Sequence, residues 1–163
     1  MTSQSLDTRR RGRFGVLYRL DDFAKDHQDT LLLIGRVMIA LVFVQSGFGK
    51  LMDIPAFAAS LGRNGVPQPM LFAYLGATVE FLTALALLFG FATRYAAAML
   101  VLFIIVATLI SHRYWEFADP AQRRPQTINF AKNMAMIGGA FFVFVAGAGR
   151  ASLDNWLRST RQP

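Results

Sequence analysis

Along this chain, long apolar runs alternate with short polar segments at a spacing that predicts membrane-spanning helices. Four runs stand out: Leu31 to Gly49 with Arg36 its only charge, Met70 to Phe91 with Glu80 alone, Tyr95 to Ser111 uncharged, and Phe130 to Ala148 with Lys132 alone. Each is close to the ~20 residues that cross a hydrocarbon layer of ~30 Å. The second and third runs are separated by little more than Ala92, Thr93 and Arg94. They predict a tight hairpin, because one continuous helix would be about twice the bilayer thickness. The expected fold is all-α: an integral membrane four-helix bundle, antiparallel, with a short surface helix between spans one and two.

That surface helix follows from Ile54 to Leu61, an apolar stretch that Asp53 can N-cap and Gly62 can end. Gly65, Pro67 and Pro69 stop it from running into span two. Between spans three and four, His112 to Asn129 carries Tyr114, Trp115 and Phe117, amphipathic rings suited to the membrane–water interface. Ahead of span one, Val16, Leu17, Leu20, Phe23 and Ala24 share one helical side and predict an interfacial helix, while Met1 to Arg13 is equally readable as a disordered basic leader. The domain reading is a basic tail over 1–30, the transmembrane domain over 31–157 and a C-terminal tail over 158–163.

Composition agrees with a membrane protein: 54% of residues are hydrophobic and the mean hydropathy is +0.37. The net charge of +7 is unevenly placed. Arg9, Arg10, Arg11, Arg13, Arg19, Lys25, Arg94, Arg150, Arg158 and Arg161 fall on one predicted side, against Lys50, Arg63, Arg113, Arg123 and Arg124 on the other. The positive-inside rule then predicts both termini in the cytoplasm. Because the basic residues flank spans, lipid and topology account for them and a nucleic-acid partner is not expected. Arg19 interrupts the only N-terminal apolar stretch, so no cleaved signal is predicted. The absence of cysteine removes disulfides, thiolate-held clusters and thiol exchange from this chain. His27 and His112 fall on opposite predicted sides, which argues against a bis-histidine haem and any resident metal. An electron-transfer centre has to come from a diffusible cofactor or a redox partner protein.

Helix faces bring the candidate chemistry into focus. Ala73, Gly76, Ala77, Glu80, Thr83 and Ala84 form one small-residue stripe on span two, so Glu80 is expected inside the bundle. Arg36, Ala40, Phe43, Gly47 and Lys50 lie within about 80° of one another on span one. On span four, Ala131, Ala135 and Gly139 repeat, and Lys132 is expected to turn inward with them. Thr108 is one turn from His112 on span three. At 1.5 Å per residue, Arg36 is expected roughly 8 Å and Glu80 roughly 16 Å from the cytoplasmic boundary, with Lys50, His112 and Lys132 near the outer one. Arg36 is expected as the cation nearest Glu80 if spans one and two are neighbours. An ionisable group at that depth costs roughly 2.5–3.5 kcal/mol on insertion scales and marks a functional-site hypothesis. Glu80 and His112 are the candidate proton carriers. Arg36, Lys50, Lys132 and Asn133 are the candidate ligand-binding residues. Against these stand plain structural roles: snorkelling for Lys50 and Lys132, a counter-ion for Arg36, an interfacial ring for His112, and interhelical hydrogen bonds for Asn133 and Gln45.

Several motifs in order resemble the DoxX family of small four-helix bacterial membrane proteins and its DoxD-like relatives. They are Gly35-Arg36, Gly47-Phe48-Gly49-Lys50-Leu51, Gly65-Val66-Pro67, Glu80, the hairpin Leu88 to Ala97, Lys132 to Ala135 with Gly138-Gly139, and the ending Gly147 to Asp154. The resemblance spans Leu31 to Leu157 and implies a bacterial plasma-membrane bundle. Its function is implied loosely, since relatives include a subunit of thiosulfate:quinone oxidoreductase, a mycobacterial member linked to an oxidative-stress complex, and a eukaryotic branch in cargo transport. The expectation is a membrane subunit of a quinone-linked oxidoreductase or redox-stress complex, with quinone the candidate cofactor and none bound covalently. The competing expectations are a non-enzymatic protein that binds lipid or a partner's membrane segment, and a purely structural small membrane protein.

Overall fold

The computed structural model of the protein describes residues 15–160, and side chains from residue 18 onward. The basic leader expected over Met1 to Arg13 lies outside them. Among the described residues, seven α-helices follow in order: α1 Gly15–Asp26, α2 Gln28–Met52, α3 Ile54–Arg63, α4 Pro69–Phe89, α5 Thr93–Ser111, α6 Pro120–Ala146 and α7 Leu153–Ser159, with a 3-10 turn at Tyr114–Glu116 before α6. By length and composition α2, α4, α5 and α6 can each cross a membrane, α5 together with the turn that follows it.

Local chemistry sets the boundaries. The Asp53 carboxylate accepts from Ala56 N at 3.0 Å and Pro55 occupies the first turn of α3. Gln68 sits in the left-handed region at φ 48° and hands the chain to Pro69, which opens α4. Gly90 closes α4 at φ 67°, where Gly90 N and Phe91 N donate back to Leu87 O and Ala86 O. Only Gly90, Phe91 and Ala92 separate α4 from α5.

The fourth span departs from its expected limits. An apolar-run reading starts it at Phe130, but α6 begins ten residues earlier, where the Asp119 carboxylate accepts from Ala121 N at 2.9 Å and Pro120 fits the first helical position. The segment is polar, so hydropathy does not reveal it; the Asp-Pro cap does. At the other end α6 stops at Ala146, two residues short of the expectation, as Gly147 turns away at φ 81°. The helix α7 runs through the boundary drawn at residue 157.

Two apolar clusters hold the bundle. One joins Ala40 and Phe43 of α2, Ala84 and Leu87 of α4, Leu100 and Ile104 of α5, and Ile137 and Ala140 of α6. The other packs Ile54, Ala58 and Leu61 of α3 onto Ala73 and Ala77 of α4. Glu80 lies between Ala77 and Ala84, on the stripe where the two clusters meet. Large apolar side chains such as Met38, Leu82, Leu102 and Phe142 point outward, as lipid-facing positions do. Of the predicted amphipathic face on α1, Leu20, Phe23 and Ala24 are exposed.

The helix α2 meets α4 with Gly47 against Phe81 and Arg36 against Gly90, and meets α6 through Ile39 and Gly139. The main-chain amide of Arg150, beyond α6, donates to Asp29 at the start of α2. The bundle therefore has a terminal end, carrying α1, α7 and the Gly90 turn, and a linker end, carrying α3 and the 3-10 turn.

Candidate functional site

A glycine sets the geometry of the central ion pair. A Cβ on Gly47 would stand 2.9 Å from Phe81 N and 3.0 Å from Phe81 Cα, so α2 and α4 touch backbone to backbone there. Lys50 lies one turn further along α2. Helical side chains lean toward the N-terminus of their helix, so Lys50 reaches back to the level of Phe81. Its Nζ meets Glu80 Oε2 at 2.5 Å. The carboxylate is 1% exposed, whereas the lysine side chain retains 29% exposure. The ammonium also lies 5.1 Å from the centre of the Phe57 ring on α3 and 5.6 Å from that of Phe103 on α5. Such contacts contribute about 0.5–2 kcal/mol each, more as water is excluded. Lys50 thus bridges three neighbours: an acid on α4 and ring faces on α3 and α5.

This corrects the expected pairing of Glu80 with Arg36. Both cations share a face of α2, but the Gly47–Phe81 contact fixes the axial register and puts Lys50, not Arg36, level with Glu80. Arg36 is itself buried and turned to the terminal end, where Nη1 donates to Ala148 O and Nη2 donates to Ala151 O at 2.8 Å. It latches the chain beyond α6. Gly90 belongs to the same knot, since a Cβ there would strike the Arg36 guanidinium and lie 2.6 Å from Ser152 Cβ. Asp154 closes it: Asp154 N donates to Gly90 O at 2.9 Å, while its carboxylate accepts from Ala92 N at 2.7 Å and Thr93 N at 2.9 Å. The carboxylate of α7 therefore caps α5 from another part of the chain. Partial burial pushes the Asp154 carboxyl up, but the hydrogen bonds from Thr93 and Ala92 and the Arg158 charge outweigh it and hold the group below the usual value of 3.8.

At the linker end a second polar set joins α5 to α6. Asn133 Nδ2 donates to Thr108 Oγ1 at 2.7 Å, and that hydroxyl donates to Ile104 O at 2.6 Å. Asn133 is thus engaged as an interhelical hydrogen-bond former. His112 Nδ1 lies 2.9 Å from Gln126 Oε1, so His112 pairs with α6 rather than with Glu80. Lys132 is exposed, contrary to its expected inward turn. The inward face of α6 runs through Asn133, Ile137 and Ala140, one residue out of phase with the lysine, and Ala131 and Ala135 are exposed with it. Gln45 is also exposed. Among the described residues, no three His, Cys, Asp or Glu side chains gather as a metal site.

Sequence reasoning passed over Phe57, Phe103 and Gln126, and marked Asp154 only as the end of a family motif, without its capping role. An N-cap signal at Ser152, whose Oγ accepts from Asn155 N at 3.2 Å, was available to mark α7. Nothing local marks the two rings, which reach Lys50 only through packing.

The DoxX family model matches residues 31–113. The chain belongs to the DoxX family. Inner membrane protein YphA of Escherichia coli strain K12 is 33% identical over 124 residues, covering 76% of this chain and 88% of YphA. Inner membrane protein YqjF of the same organism is 29% identical, covering 82% of this chain and 96% of YqjF. A yeast relative, the ER-derived vesicles protein ERV29 of Saccharomyces cerevisiae, is 24% identical over 86% of this chain and 38% of its own length. No solved structure matches the chain. The DoxX match contains Arg36, Lys50, Glu80 and His112, while Asn133 and the Asp154 cap lie beyond it.

Proposed function

We propose that this DoxX protein is a membrane subunit of a quinone-linked oxidoreductase or redox-stress complex, with the Lys50–Glu80 pair as its ligand and proton site. The supporting observation is the pair itself: an ammonium between two aromatic rings, bonded on one side to a carboxylate inside a membrane helix. An ammonium has three donors and the carboxylate takes one, so Lys50 can donate to a carbonyl oxygen that approaches its exposed side. The Phe57 and Phe103 rings supply flat apolar surface beside it. This donor set fits a quinone head group, which when bound supplies a two-electron acceptor that also takes up protons. Lys50 orients the carbonyl and offsets negative charge on its oxygen, and the Glu80 carboxylate, one hydrogen bond behind the ammonium, is placed to relay a proton to it. Electrons come from a partner protein, since this chain has no cysteine to carry them.

The test is quantitation of quinone that co-purifies in native nanodiscs. Wild-type protein should retain it, and Lys50→Met should lower retention by at least about tenfold, matching the ~1.4 kcal/mol of one charge-assisted hydrogen bond. Lys132→Met, on the exposed face, should leave it unchanged. Quinone-free wild-type protein would overturn the reading. The partial exposure of Lys50 favours a second, non-enzymatic reading, in which a lipid carbonyl or a partner's membrane segment occupies the same donor. Retained lipid or protein that depends on Lys50, with no quinone, would select it.

We place both termini in the cytoplasm of a bacterial inner membrane, supported by the surplus of Lys and Arg at the terminal end. A reporter active only in the periplasm should be silent when fused at the C-terminus and active when fused into the linker at Asn64.

A further inference from the structure

A cleft of about 920 Å³ opens at the terminal end, between the start of α2, the start of α5 and the segment from Ala146 through α7. That volume is in the ~300–1,000 Å³ range of small-molecule sites. Arg94, Arg150 and Arg158 all line it. Among the described residues, none is held in a two-pronged carboxylate pair. Arg94 Nη2 reaches Val145 O, at 3.3 Å, and Arg158 Nε reaches Asp154 O within its own helix, at 3.1 Å. Arg150 Nε stays 3.9 Å from Asp29 Oδ2.

The two carboxylates of the cleft are committed to main-chain amides instead. Asp29 Oδ1 accepts from Arg150 N at 2.9 Å, and Asp154 takes the first amides of α5. Among the described residues, three guanidinium groups therefore keep unoccupied donors around one concavity, which is the arrangement that recognises phosphate oxygens. Leu32 and Leu157 line the same cleft, giving it apolar wall beside the cationic rim. Depth is set by aromatic side chains. Tyr95 on the cleft is 83% exposed and Trp156 on α7 is 60% exposed, at an end where spans start and stop. Rings so placed lie at the membrane–water interface, where headgroups are.

We propose that this cleft binds the phosphate of an anionic phospholipid headgroup, with Arg94, Arg150 and Arg158 as donors and Leu32 and Leu157 against the adjoining glycerol and acyl carbons. The site lies at the opposite end from Lys50 and does not depend on the quinone reading.

Native mass spectrometry of the full chain tests it, with phosphatidylglycerol compared with phosphatidylcholine of the same acyl chains, and inorganic phosphate added to the phosphatidylcholine sample as a separate arm. Phosphatidylglycerol should be retained preferentially. A cationic side chain at an anionic lipid surface contributes about a fivefold factor, so Arg158→Gln should lower retention roughly fivefold and Arg94→Gln with Arg158→Gln roughly twenty-five-fold. Replacing Arg123 and Arg124 by Gln at the linker end should change nothing. Circular dichroism checks that the double variant folds, and the single variant on exposed α7 provides an independent reading if it does not. Equal retention of the two lipids, or wild-type retention by Arg158→Gln, would overturn the proposal. So would inorganic phosphate that binds without the anionic lipid and with the same arginine dependence, since the ligand would then be a soluble phosphate.

Discussion

Gly47 presses its bare Cα face onto the backbone of Phe81, and this contact sets which cation meets Glu80. Gly47→Ala places a methyl group 2.9 Å from Phe81 N, so one helix has to move. We expect a loss of about 1–3 kcal/mol, the usual cost of overpacking. Gly49→Ala is the control, because nothing lies within 4 Å of a Cβ there. It should be neutral or stabilise α2 by up to about 1 kcal/mol through the better helix former. Unfolding in mild detergent on titration with a denaturing one separates the two.

Removing the carboxylate alone leaves Lys50 among aromatic rings without its anion. Breaking a fully buried pair costs about 3–5 kcal/mol, but the 29% exposure of the lysine side chain lets it find water or headgroups. Glu80→Gln should therefore cost about 1–3 kcal/mol, between the exposed and buried limits. Adding Lys50→Met should restore most of that stability while quinone retention stays lost. Adding Arg36→Gln should restore none. A double variant at Lys50 and Glu80 that functions as wild type in a redox-stress complementation assay would reduce the pair to architecture.

Arg36→Gln should loosen the chain beyond α6. It removes two charge-assisted hydrogen bonds to Ala148 O and Ala151 O, each worth about 1.5–3 kcal/mol in a buried setting. Amide hydrogen exchange over 148–154 should rise by tenfold or more, since a factor of ten needs only about 1.4 kcal/mol. Exchange within α3 should be unchanged. Unaltered protection at 148–154 would refute the latch.

Asp154 makes this latch sensitive to acid. Its folded-state pKa is depressed, so its contribution is full well above the ordinary carboxylate value of 3.8 and is lost as pH falls through the lower folded-state value. Stability of wild-type protein should fall more steeply below about pH 4 than that of Asp154→Asn, whose side chain does not titrate. Thermal melts from pH 6 to pH 3 measure the difference. Parallel curves would show that the carboxylate charge contributes nothing to the α5 cap.

Much of this arrangement is legible in the chain because helical angle is a local property. The stripe Ala73, Ala77, Glu80, Thr83 and Ala84 is buried as its spacing predicts, with Gly76 half-buried at its edge, and Asp53 caps α3 where its side chain is placed to do so. Axial register is not local. Arg36 and Lys50 occupy one face, and only the close approach at Gly47 decides between them. On α6 the rule that small residues face neighbours misleads, because Ala131 and Ala135 face outward and carry Lys132 with them. The contacts of Arg36 with Ala148 and Ala151 join residues more than a hundred positions apart, and no periodic signal reports such a pair.

The cap that α7 places on α5 also orders biosynthesis. Domains emerge from the ribosome N-terminal end first, so α2, α4 and α5 enter the bilayer while the amides of Ala92 and Thr93 still lack their acceptor. Arg36 waits likewise for Ala148 and Ala151. The nascent bundle stays open at its terminal end until the last helix has been translated. A stop codon or protease cut just after α6 would therefore leave four intact spans with an uncapped helix and an unmatched buried arginine, a defect confined to one end of an otherwise complete bundle.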